Sequence, residues 1–206
     1  MKIYDFEGFP NPARIRIALA EKNLTDQVTF VSVDVPGGEH KTKEFLARNP
    51  SGLVPALELD DGTVISECTA ITEYIDAVSE GPSLTGETPK ERAVTHMMQR
   101  RAEAELLDAV AAYFHHATPG LGPDIETSQC ADWGNLQKER ALRGMRYFDD
   151  VLADREFMTG DSFSMVDITA FAGLAFADFA KIDVPADCAN LIAWRQRVAS
   201  RPSIAG

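Results

Sequence analysis

Two adjacent histidines, His115 and His116, are candidates for proton transfer in this chain of 206 residues. They lie at the end of a predicted helix, shortly before Thr118 and Pro119. An imidazole titrates near neutral pH, so a histidine can accept a proton from a weak acid. A structural role is the alternative, because histidines at a helix C-terminus also interact favourably with its negative end and its last carbonyl groups.

Glu67 and Cys68 stand where a predicted strand passes into a predicted helix. The first N–H groups of a helix have no partner within it and the helix dipole is positive there, so this junction suits an anionic group. Glu67 also offers a carboxylate to an ammonium group. A solvated glutamate beside a small buried cysteine is the alternative.

A basic cluster formed by His40, Lys41 and Lys43 follows two glycines in an otherwise acidic half of the chain. Such a cluster can hold a carboxylate. An ordinary exposed run of charged residues is the alternative.

The three cysteines, Cys68, Cys130 and Cys188, are far apart and form neither a C-x-x-C pair nor a zinc-ligand spacing. We therefore expect reduced thiols and no metal site. The sequence contains no long apolar segment of the kind that crosses a membrane or directs secretion, which predicts a cytoplasmic protein.

Composition narrows the range of partners. The hydrophobic fraction of 45% is that of a globular protein, and the formal net charge is −12. That charge opposes binding to nucleic acid, which depends on phosphate neutralisation, and binding to an acidic membrane surface.

The first half of the chain alternates between strand and helix patterns. Lys2–Tyr4 predicts a strand, and Asn11 with Pro12 predicts an N-cap and first position of a helix that extends to about Lys22. The β-branched run Val28–Val33 predicts a buried strand parallel to the first.

A short helix is predicted over Thr42–Arg48, followed by strands over Ala56–Leu59 and Thr63–Ser66. The Asp-Gly step between these strands indicates an antiparallel hairpin. A last helix over Cys68–Val78 has an apolar face, made of Ile71, Tyr74, Ile75 and Val78. The predicted order is βαβαββα.

The second half of the chain contains only helix patterns and connections. Long helices are predicted over residues 90–116 and 128–153. Ser164 and Asp167 predict a capping box, with Phe163 and Ile168 as a hydrophobic staple, at the start of a mostly apolar helix suited to the centre of a bundle. A final helix holds Trp194 and ends before Pro202.

The segment 81–89, with two prolines and two glycines, separates the two halves. We predict a first domain over residues 1–81, a linker over 82–89 and an all-helical domain over 90–206.

These motifs, taken together and in this order, resemble those of the soluble glutathione S-transferase family over nearly the whole chain. The sequence is most similar to a fungal and bacterial type. The motifs that carry the resemblance are A-R-I-R-I-A-L-A-E-K from Ala13, S-G-L-V-P from Ser51, E-C-T-A-I from Glu67 and F-H-H-A-T-P-G-L-G from Phe114.

The resemblance implies a thioredoxin-like N-terminal domain, an all-helical C-terminal domain that forms the hydrophobic substrate wall, and a homodimer. It implies a detoxification enzyme that conjugates the glutathione thiolate to hydrophobic electrophiles. Glutathione is then a co-substrate, and no permanently bound cofactor is expected.

The resemblance also assigns glutathione-binding residues. A cis peptide bond between Val54 and Pro55 would turn the Val54 backbone outward to pair with the cysteinyl part of the extended tripeptide. The Cys68 N–H would bind the γ-glutamyl carboxylate and Glu67 the ammonium group. His40 would bind the glycyl carboxylate.

The match to the family fails at the residue that activates the thiol, because Phe9 occupies the position of the family's Tyr, Ser or Cys. No Ser, Thr, Tyr or Cys lies between Asp5 and Lys22. A thiol with a pKa near 8.5 is mostly protonated at neutral pH, so some group must favour the thiolate. We predict that the Asn11 amide contributes, and that His115, directly or through a water held with His116, accepts the proton.

The predicted electrophile-binding residues are Phe9, Tyr113 and Phe114. Two other functions stay open at this point. One is a ligand-binding or regulatory protein with this fold, because the usual activating residue is missing. The other is a glutathione-dependent peroxidase or a thiol-disulfide oxidoreductase, which the absence of a cysteine near the first helix disfavours.

Overall fold

The computed structural model describes residues 1–205, which form two compact units. The first unit is Met1–Leu84, and the second begins at Thr85. This division falls inside the segment 82–89 that we predicted as a linker.

The first unit contains one four-stranded mixed sheet. Its strands are β1 (Lys2–Asp5), β2 (Thr29–Ser32), β3 (Ala56–Glu58) and β4 (Val64–Ser66), arranged in the order β2-β1-β3-β4. β1 pairs parallel with β2 and antiparallel with β3, and β3 pairs antiparallel with β4. This is the thioredoxin-like topology that the sequence predicted, although β2 is a half-exposed edge strand and not a buried one.

Three helices accompany this sheet: α1 (Pro10–Glu21), α2 (Lys43–Arg48) and α3 (Cys68–Ala77). Apolar residues of α1, α3, β1 and β3 form one core cluster, which includes Ile3, Ile15, Leu57, Ile71 and Ile75. Of the predicted inner face of α3, Ile71 and Ile75 are buried, whereas Val78 lies outside the helix and is exposed. The packing of α1 against α3 brings the starts of these two helices together.

A buried ion pair joins the other ends of α1 and α3. The ammonium group of Lys22 lies 3.0 Å from an Asp76 carboxylate oxygen and donates to the carbonyl oxygen of Pro82. The Asp76 carboxylate also accepts hydrogen bonds from Ser83 and Leu84. The end of the first unit is thus held against its helices.

The second unit is helical. A continuous helical segment comprises α4 (Pro89–Ala102), one π-helical stretch (Glu103–Leu107) and α5 (Asp108–Ala117). At the π-helical stretch a Cβ on Gly144 would lie only 2.3 Å from the Glu105 carbonyl oxygen. Glycine therefore permits close packing of the next helix, α6 (Ala131–Val151), against this point.

The remaining helices are α7 (Met165–Phe179), α8 (Ala189–Ala199) and the four-residue α9 (Pro202–Ala205). The predicted capping box at Ser164 and Asp167 is confirmed. The first six residues of α7 are all buried, as expected for a central helix, but its C-terminal end emerges at Phe179, which is 67% exposed.

Candidate functional site

The start of α3 is an uncapped helix end with an unusual backbone conformation. β4 ends at Ser66, and Glu67 precedes the helix at φ 69° and ψ 120°, without a hydrogen bond from its side chain to the helix. A left-handed φ in a residue other than glycine costs on the order of 1 kcal/mol and is often found at functional sites. The ladder of α3 begins with the bond from the Ile71 N–H to the Glu67 carbonyl oxygen, so earlier N–H groups are directed out of the helix.

Cys68 is the first residue of α3, and its thiol is directed towards α1. The sulfur lies 3.5 Å from the backbone oxygen of Asn11 and 3.7 Å from its side-chain oxygen Oδ1. The structure therefore places two predicted site residues, Asn11 and Cys68, in direct contact.

The start of α1 differs from our prediction. The helix begins at Pro10, and its N-cap is Phe9. Asn11 is inside the first turn, and its Oδ1 accepts a hydrogen bond of 2.9 Å from the Arg14 guanidinium group. The prediction of Asn11 as N-cap was wrong because Pro10 and Pro12 both fit a first helical turn, where a missing N–H costs nothing.

The segment before β3 has the predicted cis peptide bond between Val54 and Pro55. Within residues 1–205 no group pairs with the backbone N–H or C=O of Val54. The preceding Leu53 is 57% exposed, and its carbonyl oxygen accepts a hydrogen bond from the Asn49 amide. Val54 therefore presents an unpaired backbone beside an anchored loop.

His40 and Lys41 lie in a short 3₁₀ turn, Glu39–Lys41, next to the same segment. The Lys41 ammonium group donates to the Gly52 carbonyl oxygen at 3.1 Å. Burial and the positive charge of Lys41 lower the pKa of His40, whose Nδ1 is buried and has no partner within the described residues. At neutral pH His40 is uncharged, so it does not add to the positive charge of its two lysine neighbours as the sequence suggested.

His115, at the end of α5, is paired with a carboxylate that the sequence analysis missed. Its Nδ1 lies 2.6 Å from Oε1 of Glu126. The same oxygen accepts a hydrogen bond from the Leu121 N–H, and a Cβ on Gly120 would lie 2.3 Å from it. The eleven-residue separation of His115 and Glu126 gave no helical signal, because a loop connects them.

A carboxylate on Nδ1 fixes the tautomer of a neutral histidine. Nδ1 then carries the proton that it donates to Glu126, and Nε2 keeps its lone pair as a proton acceptor. The same geometry orients the ring.

His116 has a different environment from that of its neighbour. Its Nδ1 accepts a hydrogen bond of 3.1 Å from the Cys130 N–H, just before α6. In the neutral ring the proton then resides on Nε2, which can donate a hydrogen bond. The accepting nitrogen, Nδ1, is already bound to the Cys130 N–H.

The predicted electrophile-binding residues occupy three environments. Phe9 packs edge-to-face against Phe6, with ring centroids 4.7 Å apart. Tyr113 lies under the Lys138 ammonium group. Phe114 is only 9% exposed and packs edge-to-face against His115. Little of its surface is therefore accessible to a ligand.

Two features are absent within residues 1–205, a metal-binding cluster and a membrane-spanning helix. No group of three or more His, Cys, Asp or Glu side chains is arranged to hold a metal ion. No helix in this range is long and apolar enough to cross a membrane.

Comparison with known proteins agrees with the thioredoxin-like topology of the first unit and the helical second unit. Residues 10–78 match the family model of the glutathione S-transferase N-terminal domain, and residues 124–206 match that of the C-terminal domain. The chain belongs to the glutathione S-transferase family. It is therefore an enzyme that transfers glutathione, and the predicted family, fold class and enzyme class are confirmed.

Several relatives of this transferase are similar over nearly their whole length. Glutathione S-transferase 2 of Saccharomyces cerevisiae is 59% identical over 204 residues, which cover 99% of this chain and 88% of that protein. The crystal structure of Gtt2 from the same yeast has a TM-score of 0.97 and covers 100% of this chain and 99% of that chain. A glutathione S-transferase domain-containing protein of Marinobacter aquaeolei has 65% identity and a TM-score of 0.98, with coverage of 99% and 100%.

Proposed function

We propose that this transferase binds glutathione on the unit Met1–Leu84 and conjugates its thiolate to hydrophobic electrophiles. The observation that carries the proposal is the unpaired backbone of Val54 beside the cis Pro55. An extended peptide can pair with such a backbone as if it were an added strand. Glutathione supplies a peptide of this kind through its cysteinyl residue.

The start of α3 supports the binding of the γ-glutamyl group. Its outward N–H groups, among them that of Cys68, suit the α-carboxylate, and Glu67 provides a carboxylate for the ammonium group. The left-handed φ of Glu67 sets the position of its side chain relative to the helix end. The start of α3 thus has complementary groups for both the carboxylate and the ammonium group of the γ-glutamyl residue.

The turn that contains His40 and Lys41 supports the binding of the glycyl carboxylate. Its contact with Gly52 places it beside the segment that leads to Val54. Because His40 is neutral, it would act as a hydrogen-bond donor, and Lys41 and Lys43 would supply the positive charge.

His115 remains our candidate for the base that accepts the thiol proton. Its pairing with Glu126 supports this role, because the accepting nitrogen Nε2 is fixed and the ring is held in one orientation. In this proposal His116 contributes only a hydrogen bond that Nε2 donates, for example to a water molecule. Phe9, Tyr113 and Phe114 remain the candidates for contact with the electrophile.

The homodimer, the cytoplasmic location and a role in detoxification are also part of the proposal. They rest on the resemblance to the family and on the sequence. The family relationship favours a transferase over a purely ligand-binding protein, and the burial of the Cys68 thiol against Asn11 disfavours thiol-disulfide exchange.

Calorimetric titration tests the binding proposal with fragments of the ligand. The proposal predicts that glutathione binds, that cysteinylglycine, which lacks the γ-glutamyl group, binds at least about tenfold more weakly, and that a glycyl ester of glutathione is weakened less. Equal affinity for all three compounds would contradict the assignment of the α3 start.

Turnover of an aryl halide tests the role of His115. We expect His115→Ala to lower kcat about 100-fold at neutral pH, with little change in the KM for glutathione. His96→Ala, at an exposed histidine of α4, is the matched control and should retain wild-type turnover. An unchanged kcat in His115→Ala would exclude His115 as the base.

A further inference from the structure

The first turn of α1 has few groups that can donate a hydrogen bond outward. Pro10 and Pro12 have no N–H, and the N–H of Ala13 is bound to the Phe9 carbonyl oxygen. What remains at this end is the backbone N–H of Asn11 and its side-chain amide nitrogen Nδ2. Within residues 1–205 no group pairs with this Nδ2.

Two donors hold the oxygen of the Asn11 amide. Arg14 lies one turn further along α1, and its Nη1 donates to Oδ1 at 2.9 Å. Arg14 is only 5% exposed. The Cys68 sulfur of α3 lies 3.7 Å from the same oxygen. The thiol sulfur can donate or accept a hydrogen bond, but the guanidinium group has only donors and therefore requires an acceptor at this position.

This arrangement fixes the direction of the amide. If the Asn11 side chain turned over, its NH₂ group would face the guanidinium donors of Arg14, and both partners would lose a partly buried hydrogen bond. Nδ2 is therefore held on the side of the amide that faces away from Arg14 and Cys68. A charged donor on Oδ1 also polarises the amide and strengthens the N–H as a donor.

We propose that Arg14 is a positioning residue for the transferase reaction, which holds the Asn11 amide with Nδ2 as a hydrogen-bond donor to the glutathione sulfur. The proposal rests on the proposed binding of glutathione to this unit. The Asn11 amide would thereby take the role of the family's hydroxyl or thiol donor, because Phe9 occupies the position of that residue and has no such group. The thiol loses its proton to the base or to water, and the thiolate accepts the Asn11 hydrogen bond.

A double-mutant cycle tests this inference through the thiolate of bound glutathione, which is followed by its ultraviolet absorbance as a function of pH. Asn11→Ala is expected to lower the bound thiolate fraction about tenfold at a pH below the thiol pKa, because a hydrogen bond to a charged group is lost. Arg14→Met is expected to lower it about three- to fivefold. In the Asn11→Ala background, Arg14→Met is expected to have no further effect.

The control is Lys22→Met, which removes the other buried cation of α1, at its opposite end. It should cost stability as Arg14→Met does and leave the bound thiolate fraction unchanged. Arg14→Lys, which keeps the buried charge but not the planar fork, provides a milder variant if Arg14→Met does not fold. We expect a twofold to threefold loss for it.

The outcomes separate the inference from the proposal on which it rests. If the wild-type protein shows no bound thiolate and no glutathione affinity, both fail. If it binds and ionises glutathione but Arg14→Met or Arg14→Lys lowers the thiolate fraction equally in both backgrounds, Arg14 does not act through Asn11. An unchanged thiolate fraction in Asn11→Ala would also overturn the inference.

Discussion

Four helix starts form two contrasting pairs, one with capping boxes and one without side-chain caps. In the helical unit, α4 and α7 each begin with a complete capping box, Thr88 with Glu91 and Ser164 with Asp167. In the thioredoxin-like unit, α1 and α3 begin without any side-chain cap. A capping box satisfies N–H groups of the first turn and so stabilises the fold, whereas a start without a side-chain cap lacks that contribution.

The α7 box is the most buried of these helix starts. Both oxygens of the Asp167 carboxylate accept hydrogen bonds, from the backbone N–H groups of Met158 and Ser164, the Ser164 hydroxyl and the Trp194 indole. Burial raises the pKa of Asp167 to about 6, and these donors oppose that shift. At neutral pH the ionised form matches the donors around it.

Removal of the Asp167 carboxylate is expected to have the largest effect on stability. Asp167→Ala leaves several buried donors without a partner and should lower the free energy of unfolding by about 3 kcal/mol or more, measured by urea denaturation. Asp161→Ala, at an exposed position close by, should change it by less than about 0.5 kcal/mol. A loss below about 1 kcal/mol for Asp167→Ala would show that the box contributes little.

A substitution at the start of α3 should raise the stability of the fold, in contrast to Asp167→Ala. Glu67→Gly relieves the left-handed backbone and should stabilise the fold by roughly 1 kcal/mol, while the KM for glutathione rises about tenfold or more. Both quantities are measured on the same protein, by denaturation and by steady-state kinetics.

The matched control is Lys181→Gly, which relieves a similar left-handed φ of 61° in the helical unit. It should give a comparable gain in stability with no change in the KM for glutathione. If Glu67→Gly left that KM unchanged as well, the start of α3 would not be a ligand site.

The capping box of α4 should show a purely structural effect of intermediate size. Thr88→Ala removes the side-chain oxygen that accepts the Glu91 N–H and is expected to cost about 1 kcal/mol of unfolding free energy. The KM for glutathione should stay at the wild-type value, in contrast to Glu67→Gly. Thr127→Ala, at an exposed threonine outside any helix, serves as the control.

The smallest effect concerns pH and His40. Because its pKa is lowered below the ordinary 6.5 in the folded protein, the unfolded chain takes up the proton first as the pH falls. Stability contributed by neutral His40 is therefore present above pH 6.5 and is lost below it. His40→Gln should reduce the slope of unfolding free energy against pH in this range, and an unchanged slope would contradict the assignment.

Local patterns predicted most of the fold. The order of the elements along the chain, the hairpin at Asp60–Gly62 and the box at Ser164 follow from residue types at short spacing. The cis bond before Pro55 was expected only from the family resemblance. The start of α1 could not be decided in this way, because two prolines fit the first turn equally well. The choice depends on Arg14 and on the contact of Asn11 with Cys68, which is 57 residues away in the chain.

The candidate glutathione site also depends on contacts that local sequence patterns could not predict. The residues Glu67, Cys68 and Val54 could be named from motifs, but the left-handed φ of Glu67 and the unpaired backbone of Val54 depend on how the strands and helices meet. Glu126 had no signal at all, because its pairing with His115 crosses a loop. Tertiary contacts of this kind have no period in the sequence.

The most direct measurement of the central claim is a crystal structure of the protein with glutathione bound. We predict that the γ-glutamyl group lies at the start of α3, with its ammonium group on Glu67, and that Asn11 Nδ2 lies within about 3.5 Å of the sulfur. A complex in which the sulfur is out of reach of Asn11, or in which the start of α3 contacts no part of glutathione, would contradict the account.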